Sequence, residues 1–256
     1  MRRKIVGSSW KTHIYSIYEG KKLAKEISES VKDVDDVDMF LLPTFPMIPL
    51  ISTTLANTNV SWGAQNISFA EKGAYTGEVP PQVLRELGCK YIEIGHAERR
   101  TYFNETNMTI NKKVKLALNH GMIPIVCTGE TAEDKEQNIG KIRLTTELMW
   151  MLDGLDEEDM RKVIIAYEPI WAIGQTEAAD ENYVEDIHVF LRNRVEKEYG
   201  KEIAENITII YGGSVDPENA VKLMSKDNID GLFVGRFGLK AENFRKIVDA
   251  ARGKVE

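Results

Sequence analysis

Short runs of β-branched and other apolar residues recur along the chain. Longer stretches separate them, and in these the apolar positions repeat at helical spacing. The runs are Lys4–Ser9, Val37–Leu42, Val60–Ala64, Tyr91–Gly95, Met122–Cys127, Val163–Glu168, Ile207–Tyr211 and Gly231–Gly235, which predict eight strands. Between them, Ile110, Val114, Ala117 and Leu118 lie on one helical face, as do Phe244, Ile247, Val248 and Ala251. Asp216-Pro217 is a helix start, with Asp216 as cap and Pro217 in the first helical position. No Ser/Gly/Pro-rich linker divides the chain, so residues 1–256 read as one domain. Eight strands alternating with eight helices in 256 residues have the size and rhythm of an α/β (β/α)8 barrel. The main competitor, a doubly wound nucleotide-binding sheet, would carry a GxGxxG or P-loop after its first strand. Here that strand runs into Gly-Ser-Ser-Trp-Lys.

Composition narrows the class. An apolar fraction of 43% fills a sizeable core, and 8% aromatics without low-complexity segments exclude disorder as the main state. Forty acidic against 33 basic residues give a net charge of −7. That argues against nucleic acid as the principal partner and leaves room for a local basic pocket that takes a small anion. Cys89 and Cys127 form no CxxC and no disulfide framework, as expected in a reducing compartment. The opening Met-Arg-Arg-Lys leads into an apolar patch too short for a signal peptide's core. No apolar run approaches the ~20 residues of a membrane span. The expectation is a cytoplasmic protein without a membrane partner.

In a barrel, function gathers at the carboxyl ends of the strands. Strand 1 ends in Ser9-Trp10-Lys11, and Lys11 is either a solvated surface charge or a fixed cation for a phosphate or oxyanion. Strand 4 ends in Gly95-His96-Ala97-Glu98-Arg99-Arg100. Of four histidines, only His96 directly follows a predicted strand. At a helix start, an imidazole stays neutral and donates a hydrogen bond, because nearby helix amides disfavour its protonation. Glu98 with the two arginines reads by itself as buried ion-pair scaffolding. Strand 6 ends in Glu168-Pro169-Ile170-Trp171-Ala172-Ile173-Gly174: a costly carboxylate that must be paired or employed, then an apolar stretch suited to a lid. Strands 7 and 8 end in Gly212-Gly213-Ser214 and Gly235-Arg236, where glycines and helix N-termini suit an anion. No HxxH, HExxH or Cys/His cluster predicts a metal, and no GxSxG elbow is present. One carboxylate, one histidine, one lysine and a glycine-lined anion site suit proton abstraction beside a carbonyl in a phosphorylated small molecule, with no cofactor.

The segments Ile-Gly-His96-Ala-Glu98-Arg-Arg, Ala-Tyr-Glu168-Pro-Ile-Trp-Ala-Ile-Gly174 and Tyr-Gly-Gly213-Ser214-Val resemble those of the triosephosphate isomerase family, in the same order over essentially the whole chain. The resemblance implies a single-domain TIM barrel. It makes Glu168 the base, His96 the neutral group polarising the carbonyl, and Lys11 the stabiliser of negative charge, with Glu98 in the same catalytic set. The family is itself a standard example of such roles set by environment. Ser9, Lys11, Gly174, Gly213, Ser214, Gly235 and Arg236 would bind the substrate and its phosphate, and residues from Pro169 to about Ala178 would form the lid. Gln65–Glu78 resembles the interlocking loop, which implies a homodimer with Thr76 near the neighbouring site. The substrate would be glyceraldehyde 3-phosphate, interconverted with dihydroxyacetone phosphate.

Three positions depart from the family pattern. Ser9 stands where the family usually has asparagine, leaving space beside the reacting carbons. Gly235-Arg236-Phe237-Gly238 replaces Gly-Gly-Ala-Ser, and the lid's tail reads Gln175-Thr176-Glu177-Ala178-Ala179 without Gly-Lys-Thr. Ser-Trp-Lys with a Gly-Arg strand 8 loop resembles the branch that isomerises four-carbon erythrulose phosphates with the same catalytic residues. A one-carbon difference in a pocket is worth only about 1–3 kcal/mol, so the sequence alone does not choose between a three- and a four-carbon sugar phosphate. A barrel that binds a phosphometabolite without catalysis is the alternative from another class.

Overall fold

The computed structural model describes residues 2–175 and 178–254. Eight parallel strands close into a barrel in sequence order. They are β1 (Lys4–Ser9), β2 (Val37–Leu42), β3 (Val60–Ala64), β4 (Tyr91–Ile94), β5 (Ile123–Thr128), β6 (Ile164–Tyr167), β7 (Thr208–Tyr211) and β8 (Gly231–Val234). Closure is made by β1 against β8, with Ile5 opposite Gly231. Gly231 is needed there, since a Cβ on it would come 2.0 Å from the Ile5 carbonyl oxygen.

The outer layer holds eleven α-helices among the described residues, against the eight that the alternation predicts. They are α1 (Ile17–Ser30), α2 (Ile48–Leu55), α3 (Pro81–Glu86), α4 (Ala97–Phe103), α5 (Asn107–Asn119), α6 (Ala132–Glu136), α7 (Gly140–Met151), α8 (Glu157–Met160), α9 (Glu181–Asn206), α10 (Pro217–Met224) and α11 (Ala241–Ala251). The surplus comes from the connections after β4 and β5, which local chemistry divides, and α9 is itself broken by a kink at Gly200 (φ 84°). Asn104 in the left-handed region (φ 53°) ends α4, and a Thr106–Thr109 capping box starts α5. Thr131 starts α6 with a second such box, shared with Asp134, and Asp156 caps α8 by accepting from the Asp159 amide. Asp216 and Pro217 start α10 as the sequence predicts, with Asp216 accepting from Glu218 and Asn219. No helix among the described residues is long and apolar enough to cross a membrane.

Strand alternation sorts the core into two compartments. Val6, Leu41, Ile92, Val126, Ile165, Ile209 and Leu232 face the helices. Their neighbours Ile5, Phe40, Tyr91, Ile125, Ile164, Ile210 and Phe233 fill the barrel interior. The Phe40 ring stacks on Tyr91 at 4.5 Å and lies over Gly7, where a Cβ would come 1.9 Å from the ring. Below this layer, Asp230 accepts from Arg2 Nε (2.5 Å), Arg192 Nη2 (2.7 Å) and the Ile209 amide (2.8 Å), tying the amino-terminal end of the barrel together. Above it, the same alternation turns Ser9, Glu93, Glu168, Gly212 and Gly235 into the mouth. Both cysteines are buried and unbridged.

Candidate active site

The residues at the strand ends converge on a cavity of about 250 Å³ at the carboxyl mouth of the barrel. Its lining includes Ser9, Lys11, Glu93, His96, Glu98, Glu168, Gly174, Ser214, Gly235 and Arg236. Every site residue expected from the sequence lines it except Gly213, which packs just behind. A Cβ on Gly213 would come 2.3 Å from the Tyr211 hydroxyl, which itself donates to the Gly213 carbonyl.

Glu168 is the first residue past β6, anchored by its amide donating to the Thr128 carbonyl at 2.8 Å. Its side chain is buried, and Oε2 has no hydrogen-bond partner among the described residues. A Cβ on Gly212 would approach Oε1 to 2.5 Å, so this glycine makes room for the carboxylate. Burial, followed by the negative charge of Glu93, pushes the Glu168 carboxyl up to about 8, with Lys11 and the Cys127 thiol opposing the shift.

His96 caps α4, and its Nδ1 accepts the Glu98 amide proton at 3.1 Å. That bond fixes the neutral tautomer with its proton on Nε2, and Nε2 lies 3.5 Å from Glu168 Oε2. Burial, reinforced by the Lys11 charge, pushes the imidazolium down to about 4. The ring therefore enters the site as a neutral donor at physiological pH.

Lys11 adopts a left-handed backbone conformation (φ 48°), rare for a residue with a side chain. Gln65 holds it there by donating to the Lys11 carbonyl (3.0 Å) and to that of Leu42 (2.9 Å). The ammonium donates to Glu98 at 2.6 Å. Burial works against its charge, but the Glu98 hydrogen bond and the charges of Glu98, Glu168 and Glu93 outweigh burial and raise its pKa. Glu98 is thus half-exposed and paired to Lys11, not buried scaffolding for the arginines. Arg99 instead pairs with Glu105 (2.5 Å), and Arg100 donates to the Gly95 carbonyl (2.8 Å).

On the opposite lip, Gly174 has φ 74° and Ser214 φ 53°. Ser214 Oγ donates to the Ala172 and Gln175 carbonyls at 2.8 and 3.0 Å. Arg236 donates from the strand 8 side to the carbonyls of Gly174 and Gln175, both at 3.2 Å. Trp171 and Ile173, expected from the sequence as part of the lid, are half-buried: Trp171 donates to Glu130 at 2.8 Å, and Ile173 lines the cavity. Thr176 and Glu177 of the lid's tail lie outside the described residues.

Two residues escape the reading of strand ends. Glu130 gathers the Tyr167 and Tyr183 hydroxyls (both 2.9 Å) and the Trp171 indole, which pins the start of the lid. Glu93 sits inside β4, is buried, and accepts from Ser9 Oγ at 2.7 Å. Its sequence signal was a lone carboxylate in the apolar run Tyr-Ile-Glu-Ile, two positions after an inward-facing tyrosine.

A closed parallel barrel whose mouth holds an unpartnered carboxylate beside a neutral imidazole defines an enzyme of the aldose–ketose isomerase class, built to move a proton next to a carbonyl. The triosephosphate isomerase family matches over residues 4–251. The triosephosphate isomerase of Clostridium botulinum (strain ATCC 19397 / Type A) is 43% identical over 249 residues, covering 97% of this chain and 100% of that protein. That of Carboxydothermus hydrogenoformans is 40% identical over 248 residues, covering 97% and 98%. The crystal structure of triosephosphate isomerase from Bartonella henselae superposes with a TM-score of 0.87 at 31% identity, covering 98% of this chain and 99% of that one. The chain belongs to the triosephosphate isomerase family.

Proposed function

We propose that the protein interconverts glyceraldehyde 3-phosphate and dihydroxyacetone phosphate through an enediolate. The observation that carries this reading is the buried, unpartnered Oε2 of Glu168, 3.5 Å from the imidazole nitrogen whose tautomer is fixed by the α4 cap. Glu168 takes a proton from the hydroxylated carbon and returns it to the neighbouring carbon. His96 donates from Nε2 to the carbonyl oxygen, and the proton of the adjacent hydroxyl passes back to it, so the imidazole ends neutral. Lys11 faces the developing negative charge, with Glu98 positioning its ammonium.

The phosphate sits at the lip made by Gly174, Gly213, Ser214, Gly235 and Arg236. Backbone amides reach it where no side chain intervenes, and a Cβ on Gly174 or Gly235 would meet nothing within 4 Å. Arg236 supplies charge in place of the backbone approach that a second glycine would allow. The carbonyls of Gly174 and Gln175 that it now holds belong to the lid, so an arriving phosphate competes for a group already tethering that segment. A steady-state assay in both directions tests this reading. Turnover of both trioses with kcat/KM above about 10⁴ M⁻¹ s⁻¹ is expected. Tight binding without isomerisation would instead make the barrel a binding module.

The reading includes a cytoplasmic homodimer built on the Gln65–Glu78 loop. In its support, residues 71–77 are exposed, and Lys113 anchors the base of the loop through Asn66 at 2.7 Å. Beside the site, a cavity of about 500 Å³ lined by Lys11, Phe45, Gln65, Tyr102 and Phe103 offers a seat for the partner's loop. Tyr102 and Phe103 are 73% and 64% exposed in the single chain, surface that association would cover. Size-exclusion chromatography is expected to show twice the mass of one chain. A fully active monomer would count against a share for Thr76 in the neighbouring site.

A further inference from the structure

Glu93 is a buried carboxyl in the lining of the catalytic cavity that the proton-transfer reading does not use. It is 3% exposed, and its one side-chain hydrogen bond among the described residues is to Ser9, at 2.7 Å. Ser9 is buried too and lines the same cavity, so both ends of this hydrogen bond belong to the site.

A hydroxyl carries one proton, and the direction of that proton decides what Ser9 does for a substrate. With Glu93 ionised, the Ser9 hydroxyl donates to the carboxylate and turns only lone pairs toward the cavity. With Glu93 protonated, the same 2.7 Å contact runs the other way. The carboxylic acid donates to Ser9 Oγ, and the Ser9 proton is released to point into the cavity. The oxygens of an enediolate gather negative charge. Lone pairs repel them and a fixed O–H stabilises them, so only the second arrangement helps the reaction.

The surroundings favour the protonated acid. Burial pushes the Glu93 carboxyl up to about 7 against the Ser9 hydrogen bond and the Lys11 charge, with Glu98 adding to the rise and Arg99 opposing it. Glu168 lines the same cavity, and a charge on Glu93 raises the Glu168 carboxyl in turn. A neutral Glu93 therefore frees Glu168 to ionise as the base. Cys127, raised by burial, and His96, whose imidazolium is pushed down to about 4, add no charge beside it. His13 after β1 and Arg236 after β8 complete the titratable groups in the cavity lining.

We infer that Glu93 is a positioning residue for the isomerisation: as a carboxylic acid it donates to Ser9 and turns the Ser9 proton onto the reacting oxygens, and on ionising it draws that proton away again. The inference rests on the isomerase reading above and changes none of its steps. Glu168 moves the proton between carbons, while His96 and Lys11 face the oxygens. Ser9 adds a donor whose direction Glu93 controls.

The test measures kcat/KM for both trioses from pH 5 to 9 in the wild type, Glu93→Gln, Ser9→Ala and the double variant. The wild-type profile is expected to be bell-shaped, rising as Glu168 ionises and falling about 100-fold as Glu93 ionises. Glu93→Gln, whose amide donates to Ser9 without titrating, should stay within about tenfold of the wild-type optimum and lose the alkaline limb. Ser9→Ala should be about 100-fold slower at that optimum. Adding Glu93→Gln to it should move the rate less than about threefold, because the two side chains act as a unit. A loss of packing alone would slow the enzyme without reshaping its pH profile. An alkaline limb that persists in Glu93→Gln, or a Ser9→Ala variant as fast as the wild type, overturns the role of Glu93 and leaves the isomerase reading standing. A wild type inactive on both trioses at every pH overturns both.

Discussion

Replacing Glu168 by alanine is expected to lower kcat about 10³-fold or more while leaving the barrel folded. Among the described residues that line the cavity, no other carboxylate is free to take over the proton transfer. Glu98 is held by Lys11, and Glu93 is bonded to Ser9 deeper in the barrel. Near-normal turnover in Glu168→Ala, with circular dichroism unchanged, would sink the assignment of the base. The isosteric Glu168→Gln adds a second readout. Because burial raises the carboxyl pKa in the folded state to about 8, the protonated form is the one that folding favours. The stabilising contribution of that protonated acid is complete below the unfolded-state value and is lost as pH rises toward the folded-state value. Glu168→Gln should therefore melt above the wild type at pH 8, and the gap should close at pH 4. Equal melting temperatures at both pH values would show that the buried carboxylate carries no such cost.

The Lys11→Met variant is expected to lose about 10²–10³-fold in kcat/KM, the scale on which a preorganised group facing developing charge contributes. Two roles for the ammonium make different forecasts. If it serves only to neutralise Glu98, the double variant Lys11→Met/Glu98→Gln recovers the rate. If it faces the enediolate, the double variant stays slow, because removing the second charge supplies no cation. The cavity lining and the strained Lys11 backbone favour the second outcome. Recovery of activity in the double variant would reassign Lys11 to a purely structural pair with Glu98.

The sequence carried the periodicity of the barrel because each strand, buried on both faces, must be apolar throughout. Three of the eight strands have the bounds expected from it; the others differ by a residue or so at their ends, where Gly95 and Gly235 lie beyond the last paired residue. Helix count was less legible. Short capped turns such as Ala132–Glu136 and Glu157–Met160 depend on local side-chain bonds and have no apolar period to announce them.

By itself, the sequence determined the closed parallel architecture and placed Lys11, His96 and Glu168 at strand ends, since strand-end position is a property of chain order. Only the tertiary structure decided how those residues act on one another. The tautomer of His96 follows from an amide at the start of α4, and the charge on Lys11 is set by Glu98, 87 positions along the chain. Glu93 shows the limit most clearly. One carboxylate in an apolar strand is a defect when read along the chain. Strand alternation and barrel closure carry it beside Ser9 at the floor of the site, where long-range contacts fix its surroundings and its chemistry.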